Sequence, residues 1–153
     1  MTMAPFYTKF HDLAFREMRV LGVRSHESLP RGEYGFLEFY CTEAGCDCRR
    51  VVLHVLNAET GDRVWASINF GWESLSYYRT WTSGNAEAAR DMAGATLDPL
   101  NPQTKHSRAL LKLFQDVVLQ DSAYVKRLER HYRLFKKGPS WPADDAESDP
   151  NVN

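Results

Sequence analysis

"FLEFYCTEAGCDCRRVVLHVLNAETGDRVWASINF" (residues 36–70) is the stretch on which the fold turns. Residues 36–41 are rich in aromatics, and residues 48–56 and 62–70 in β-branched and aromatic side chains, the composition of strands. Between the last two, "NAETGD" supplies Gly61 for a left-handed turn position and Asp62 for a local hydrogen bond. The reading is an antiparallel meander of three strands. "MRVLGV" (residues 18–23) stands ready as a fourth, edge or opening strand.

The same stretch holds every cysteine of the chain, Cys41, Cys46 and Cys48. Four residues separate Cys41 from Cys46, a permitted hairpin loop. A simple hairpin of that length sets Cys41 opposite Cys46, Phe39 opposite Cys48 and Glu38 opposite Arg49. Cross-strand partners share a face and side chains alternate along each strand, so all three sulfurs then fall on one side. Neighbouring Cβ atoms ~5 Å apart across the ladder can place three corners of a tetrahedral zinc site with Zn–S near ~2.3 Å. For a fourth ligand the candidates are His11, His26, His106, His131, Asp47, Glu43 or water. His54 lies six strand residues beyond Cys48, too far to join. Two other readings stay open. Free cysteines are often only small buried residues, or Cys46 or Cys48 is a reactive thiolate whose pKa Arg49 and Arg50 depress.

Outward from the hairpin, "FYTKFHDLAFREMRVLGV" reads as a helix or as a helix passing into a short strand, and "SHESLPRGEYG" as loop. Beyond Trp72 the period becomes helical. "ESLSYYRTW" is one helix, and "NAEAARDMAG" is a second with Asn85 as N-cap. "ATLDPLNPQT" is a rigid loop. Thr104 is placed to cap "KHSRALLKLFQDVVLQ", and Asp121 to cap "SAYVKRLERHYRLFKK", which stops at Gly138-Pro139. Strands first and helices afterwards make an α+β domain, a β-meander of three to four strands against C-terminal helices. The domain spans residues 1–138. The acidic segment 139–153, poor in apolar residues, reads as disordered.

Composition excludes more than it identifies. With 153 residues and a formal net charge of -1, the chain has no whole-molecule attraction to nucleic acid or an anionic membrane. No apolar run approaches the ~20 residues of a membrane span, and charges interrupt the N-terminal stretch where a secretory signal core would lie. A cytoplasmic setting follows, which disfavours a structural disulfide. The last helix aligns Lys126, Arg130, Arg133 and Lys137 on one stripe, opposite Val125, Leu128, Tyr132 and Phe135. A nucleic-acid surface is the sharper reading, but a solvated helix face is the commoner meaning of such a stripe. "NFGWESLSYYRTW" concentrates aromatics that belong to a sheet–helix core; were it a pocket, Glu73 and Arg79 would be its polar handles. No phosphate-binding glycine loop, His-Glu-x-x-His or nucleophile elbow occurs.

"LPRGEYGFLEFYCTEAGCDCRRVVLHV", "INFGWESLSYYRTW" and "YVKRLERHYRLFKK" together resemble an uncharacterised bacterial domain found upstream of SEC-C zinc-binding tails, with Cys-Asp-Cys-Arg-Arg the most distinctive element. The resemblance covers residues 16 to 138 and implies a cytoplasmic bacterial protein, with no substrate or catalytic residue to carry over. The cysteine-rich tail of those relatives is absent here, so its zinc binding does not transfer. The expectation is a small interaction or regulatory module with an unidentified protein partner, whose cysteine hairpin binds zinc structurally. A thiol-dependent enzyme and a nucleic-acid binder are the alternatives.

Overall fold

The computed structural model describes residues 2–137; the acidic segment read as a tail lies outside them. The chain forms an α+β domain in which one antiparallel sheet is covered by C-terminal helices. Three long strands make its centre: β3 (Gly32–Cys41), β4 (Arg50–Asn57) and β5 (Val64–Gly71). These are the expected meander, joined in order. Two short strands share the outer edge of β3: β1 (Met3–Pro5) against residues 39–41, and β2 (Arg19–Val23) against residues 32–36. The other edge is closed by β6 (Gly94–Leu97) on β5.

Between β1 and β2 the chain makes a 3-10 turn and the helix α1 (His11–Arg16), so the first stretch resolves as helix passing into strand. Two helices follow β5, α2 (Leu75–Trp81) and α3 (Ala86–Met92). Ser74 Oγ accepts from the Tyr77 N–H and Asn85 Oδ1 from the Ala88 N–H, each satisfying an otherwise orphaned first-turn donor. The helices α4 (Ser107–Asp116) and α5 (Ser122–Lys137) complete the fold. Asp121 caps α5 through the Ala123 N–H, as expected. Thr104 lies two residues before the cap position of α4, His106; its hydroxyl accepts from the His106 N–H and donates to the Trp65 carbonyl, tying the approach to the helix onto β5.

Alternation along β3 sets the core. Tyr34, Phe36 and Tyr40 are buried on the face that meets α4 and α5, where Phe36 and Phe70 both contact the Phe114 ring. Tyr124, Leu128, Tyr132 and Phe135 are the buried side of α5. The aromatic segment at the end of β5 and into α2 is core only in part: Phe70 and Tyr78 are buried, Trp72 and Tyr77 are half-buried, and Trp81 is exposed. Gly71 ends β5 where α3 crosses it, and a Cβ there would collide with the Met92 carbonyl and the Tyr78 ring. That close approach leaves room for glycine alone.

Candidate metal centre

The hairpin that carries the cysteines is longer than its four-residue reading. Phe39 faces Val52 rather than Cys48, and Glu38 faces Leu53 rather than Arg49. The strands part after Cys41 and resume at Arg50, so residues 42–49 form a loop and Cys46 and Cys48 lie off the ladder. The displacement is an even number of residues, which preserves the faces of both strands. It therefore leaves the core reading intact while dissolving the Cys41–Cys46 and Glu38–Arg49 pairs.

The three sulfurs converge nonetheless, all within 4.8 Å of one another. Cys41 sits at the end of β3, 1% exposed, and Cys48 is 0% exposed. Cys46 lies between them, half-buried at the loop surface. The loop turns back through left-handed conformations at Gly45 (φ 81°) and Arg49 (φ 49°). Such a conformation is costly for a residue with a Cβ and persists only where its surroundings hold it.

Side chains from two helices do the holding. From α5, the Tyr132 hydroxyl donates to the Cys46 carbonyl at 3.3 Å and accepts from the Arg49 N–H at 3.2 Å. Lys136 Nζ donates to the Glu43 carbonyl at 2.6 Å and reaches that of Cys41 at 3.4 Å. From α2, Tyr77 donates to the Asp47 carbonyl and Tyr78 to that of Arg49, the latter at 2.8 Å. The strained Arg49 thus has both its backbone N–H and its C=O engaged by tyrosine hydroxyls.

Electrostatics bear on the redox reading. Burial, with the neighbouring thiols, raises the Cys46 pKa and pushes that of Cys48 up to about 12. Arg49 does not oppose this. Its guanidinium pairs with Asp47 at 2.8 Å and Glu73 at 3.5 Å, and lies over the Tyr77 ring. Asp47 is held below the usual carboxylate range by that same Arg49 hydrogen bond. Arg49, Asp47 and Glu73 line a cleft of about 260 Å³ together with Trp72, Tyr132 and Arg133. Glu73 lines this cleft, but of the aromatics in its segment only Trp72 joins it, and Arg79 is exposed and does not line it.

No fourth histidine, cysteine or carboxylate joins the sulfurs among the described residues. His11 pairs with Asp12, while His26 and His106 both bond within the loop around Ser28. His54 packs against the Phe39 ring. His131 is committed elsewhere, in a group that the sequence reading missed. Its Nδ1 lies 2.7 Å from Glu38 Oε1 and its Nε2 2.8 Å from Glu17 Oε1. All three side chains are buried, at 0%, 4% and 7% exposure. Tyr40 donates to Glu38 at 2.7 Å, and Arg130 spans both oxygens of Glu17 at 2.9 and 3.1 Å. Burial alone would lower the His131 pKa, but the two carboxylates outweigh it and raise it. For Glu17, burial would raise the pKa, but His131 and Arg130 prevail and lower it. Two carboxylates, an imidazolium and a guanidinium thus form a charge-balanced buried network. One signal was available: Glu38 occupies an inward position between Phe36 and Tyr40.

The network also revises the basic stripe of α5. Lys126, Arg133 and Lys137 are exposed. The Arg130 side chain is only 19% exposed because it pairs with Glu17, so it is not part of a simply solvated face. Lys126→Glu and Arg133→Glu should each change the unfolding free energy by no more than about 0.5 kcal/mol, as surface substitutions do. Arg130→Glu should cost more than about 2 kcal/mol, since it sets a third carboxylate against a buried one. Denaturant titration of the three variants separates the cases, and equal costs would contradict the distinction.

No protein-family model, curated protein or solved structure matches the chain, and no helix among the described residues is long and apolar enough to cross a membrane.

Proposed function

We propose that this chain is a small interaction or regulatory domain in which Cys41, Cys46 and Cys48 hold a zinc ion that fixes the loop structurally. The convergence of all three sulfurs within 4.8 Å carries the reading. A tetrahedral ion with Zn–S near ~2.3 Å needs sulfurs roughly 3.8 Å apart, inside that limit. Thiolates are soft ligands, which suit zinc and disfavour magnesium or calcium. With one ligand from the end of β3 and two from the loop, the fourth position falls to water or to a group outside the described residues.

A reducing, cytoplasmic setting accords with three free thiols kept close together without a disulfide. The thiol-dependent alternative draws less support. A reactive cysteine needs an electropositive surrounding, yet the Arg49 guanidinium is turned to Asp47 and Glu73. Nucleic-acid binding by the α5 stripe loses Arg130 to Glu17, which leaves fewer cations facing outward.

Protein purified without added metal should carry close to one zinc per chain. Cys41→Ser, Cys46→Ser and Cys48→Ser should each abolish it at micromolar protein, as read by elemental analysis and by the charge-transfer bands of a cobalt-substituted sample. Metal-free wild-type protein with all thiols titratable would overturn the proposal.

A further inference from the structure

A second cavity, of about 590 Å³, opens between the end of α1 and the first turns of α5. Arg16, Arg19 and Arg127 line it, with Glu17 and Asp121 as the acidic residues. The carboxylates there are largely engaged. Glu17 faces inward to Arg130 and His131, and one oxygen of Asp121 accepts the Ala123 N–H at the head of α5.

The arginines are not engaged to match. Arg16 has no hydrogen bond or ion pair among the described residues. Arg127 uses one nitrogen on the Glu17 carbonyl at 2.9 Å, and Arg19 uses one on the Val20 carbonyl at 2.8 Å. Arg19 Nε is shut off from solvent with no acceptor. Buried donors without acceptors are rare enough in folded proteins that each calls for a reason. A cavity in a chain of net charge -1 that gathers three guanidiniums has one natural complement.

We propose that this cavity is a binding site for a phosphate-class oxyanion, gripped by Arg16, Arg19 and Arg127. The planar guanidinium offers paired donors that match two oxygens of a phosphoryl group, which makes arginine the usual residue for this work. The head of α5 adds a partial positive charge to the same region. The site is separate from the thiol loop and does not depend on metal.

Two probes, inorganic phosphate and a nucleoside 5′-monophosphate, should each shift the amide resonances of residues 16–20 and 121–127 saturably at constant ionic strength. Arg16→Gln and Arg19→Gln should each weaken binding by about tenfold or more, the loss of one charge-assisted hydrogen bond. Arg16 is exposed and unpaired, so its variant should keep the wild-type unfolding curve. Equal affinity for the two probes would identify the phosphoryl group alone as the ligand. Tighter binding of the nucleotide would extend the site to a larger phosphorylated molecule. Absence of saturable binding by either probe, or binding that both variants leave intact, would overturn the inference.

Discussion

Replacing His131 by alanine is expected to lower the unfolding free energy by about 3–5 kcal/mol, the usual cost of removing one partner from a buried ionic group. The substitution strands Glu38, which keeps Tyr40 as a donor, and removes His131 from Glu17. It also removes the ring that stacks on Phe6 at 4.3 Å between centroids, leaving a cavity beside the Phe135 cluster. A domain of this size has only about 5–15 kcal/mol in hand, so the loss is a large share of the total. Because the charges act together, a Glu38→Leu, His131→Leu double variant should be less damaged than the sum of its parts, by a coupling of about 0.5–3 kcal/mol. Denaturant midpoints on the two singles and the double give that coupling directly. A loss below about 1 kcal/mol in the alanine variant would mean that the network is incidental.

The pH dependence has a defined sign. His131 is held above its ordinary 6.5 by Glu38 and Glu17, so its contribution is complete below pH 6.5 and is lost as pH rises through its folded value. Glu17 is held below its ordinary 4.5 by His131 and Arg130, so its contribution is complete above pH 4.5 and is lost as pH falls through its folded value. The groups facing the imidazole are Glu17 from the end of α1, Glu38 and Tyr40 from β3, and Phe6; Arg130 is its neighbour on α5. Both contributions are therefore whole between pH 4.5 and 6.5. In the His131→Ala variant the stability difference from wild type should be greatest in that window and shrink towards alkaline pH.

Much of this architecture was legible because it rests on local pattern. The aromatic content of residues 36–41, the left-handed Gly61 and the caps at Asn85 and Asp121 each report on their own neighbourhood. What escaped was whatever depended on distant partners. β6 reads as loop because "GATL" forms a strand only through its pairing with β5. β1 is three residues long and exists by virtue of Cys41, Tyr40 and Phe39 opposite. Glu38 was assigned to Arg49 by a hairpin register that nothing in the loop enforces, whereas its true partner lies 93 positions away. The cysteine cluster survived a wrong register for a different reason. Eight residues closing on themselves bring Cys46 and Cys48 near Cys41 whether or not they pair as strands.

The second large effect concerns that loop, and follows if the proposed zinc is bound. Stripping the metal with a chelator should leave the domain folded, with an unchanged far-ultraviolet circular dichroism spectrum. Restoring free zinc to a thousandfold excess over its Kd should then stabilise the protein by about 4 kcal/mol. For a chain of this length that is a rise in Tm of roughly 8 to 16 °C. Small zinc-dependent domains whose ligands come together only with the metal behave differently, unfolding when it is removed. Here the backbone of the loop is already engaged. Tyr132 and Lys136 hold its carbonyls from α5, and Tyr77 and Tyr78 from α2, including both sides of the strained Arg49. The core beneath, with Cys41 and Cys48 buried among aromatic rings, needs no ion to close. Zinc would thus select a loop that the helices have preformed, and Tyr132→Phe should weaken zinc binding while leaving all three sulfurs in place. Unfolding on chelation would show the reverse order of cause, with the metal shaping the loop and the tyrosines merely meeting it.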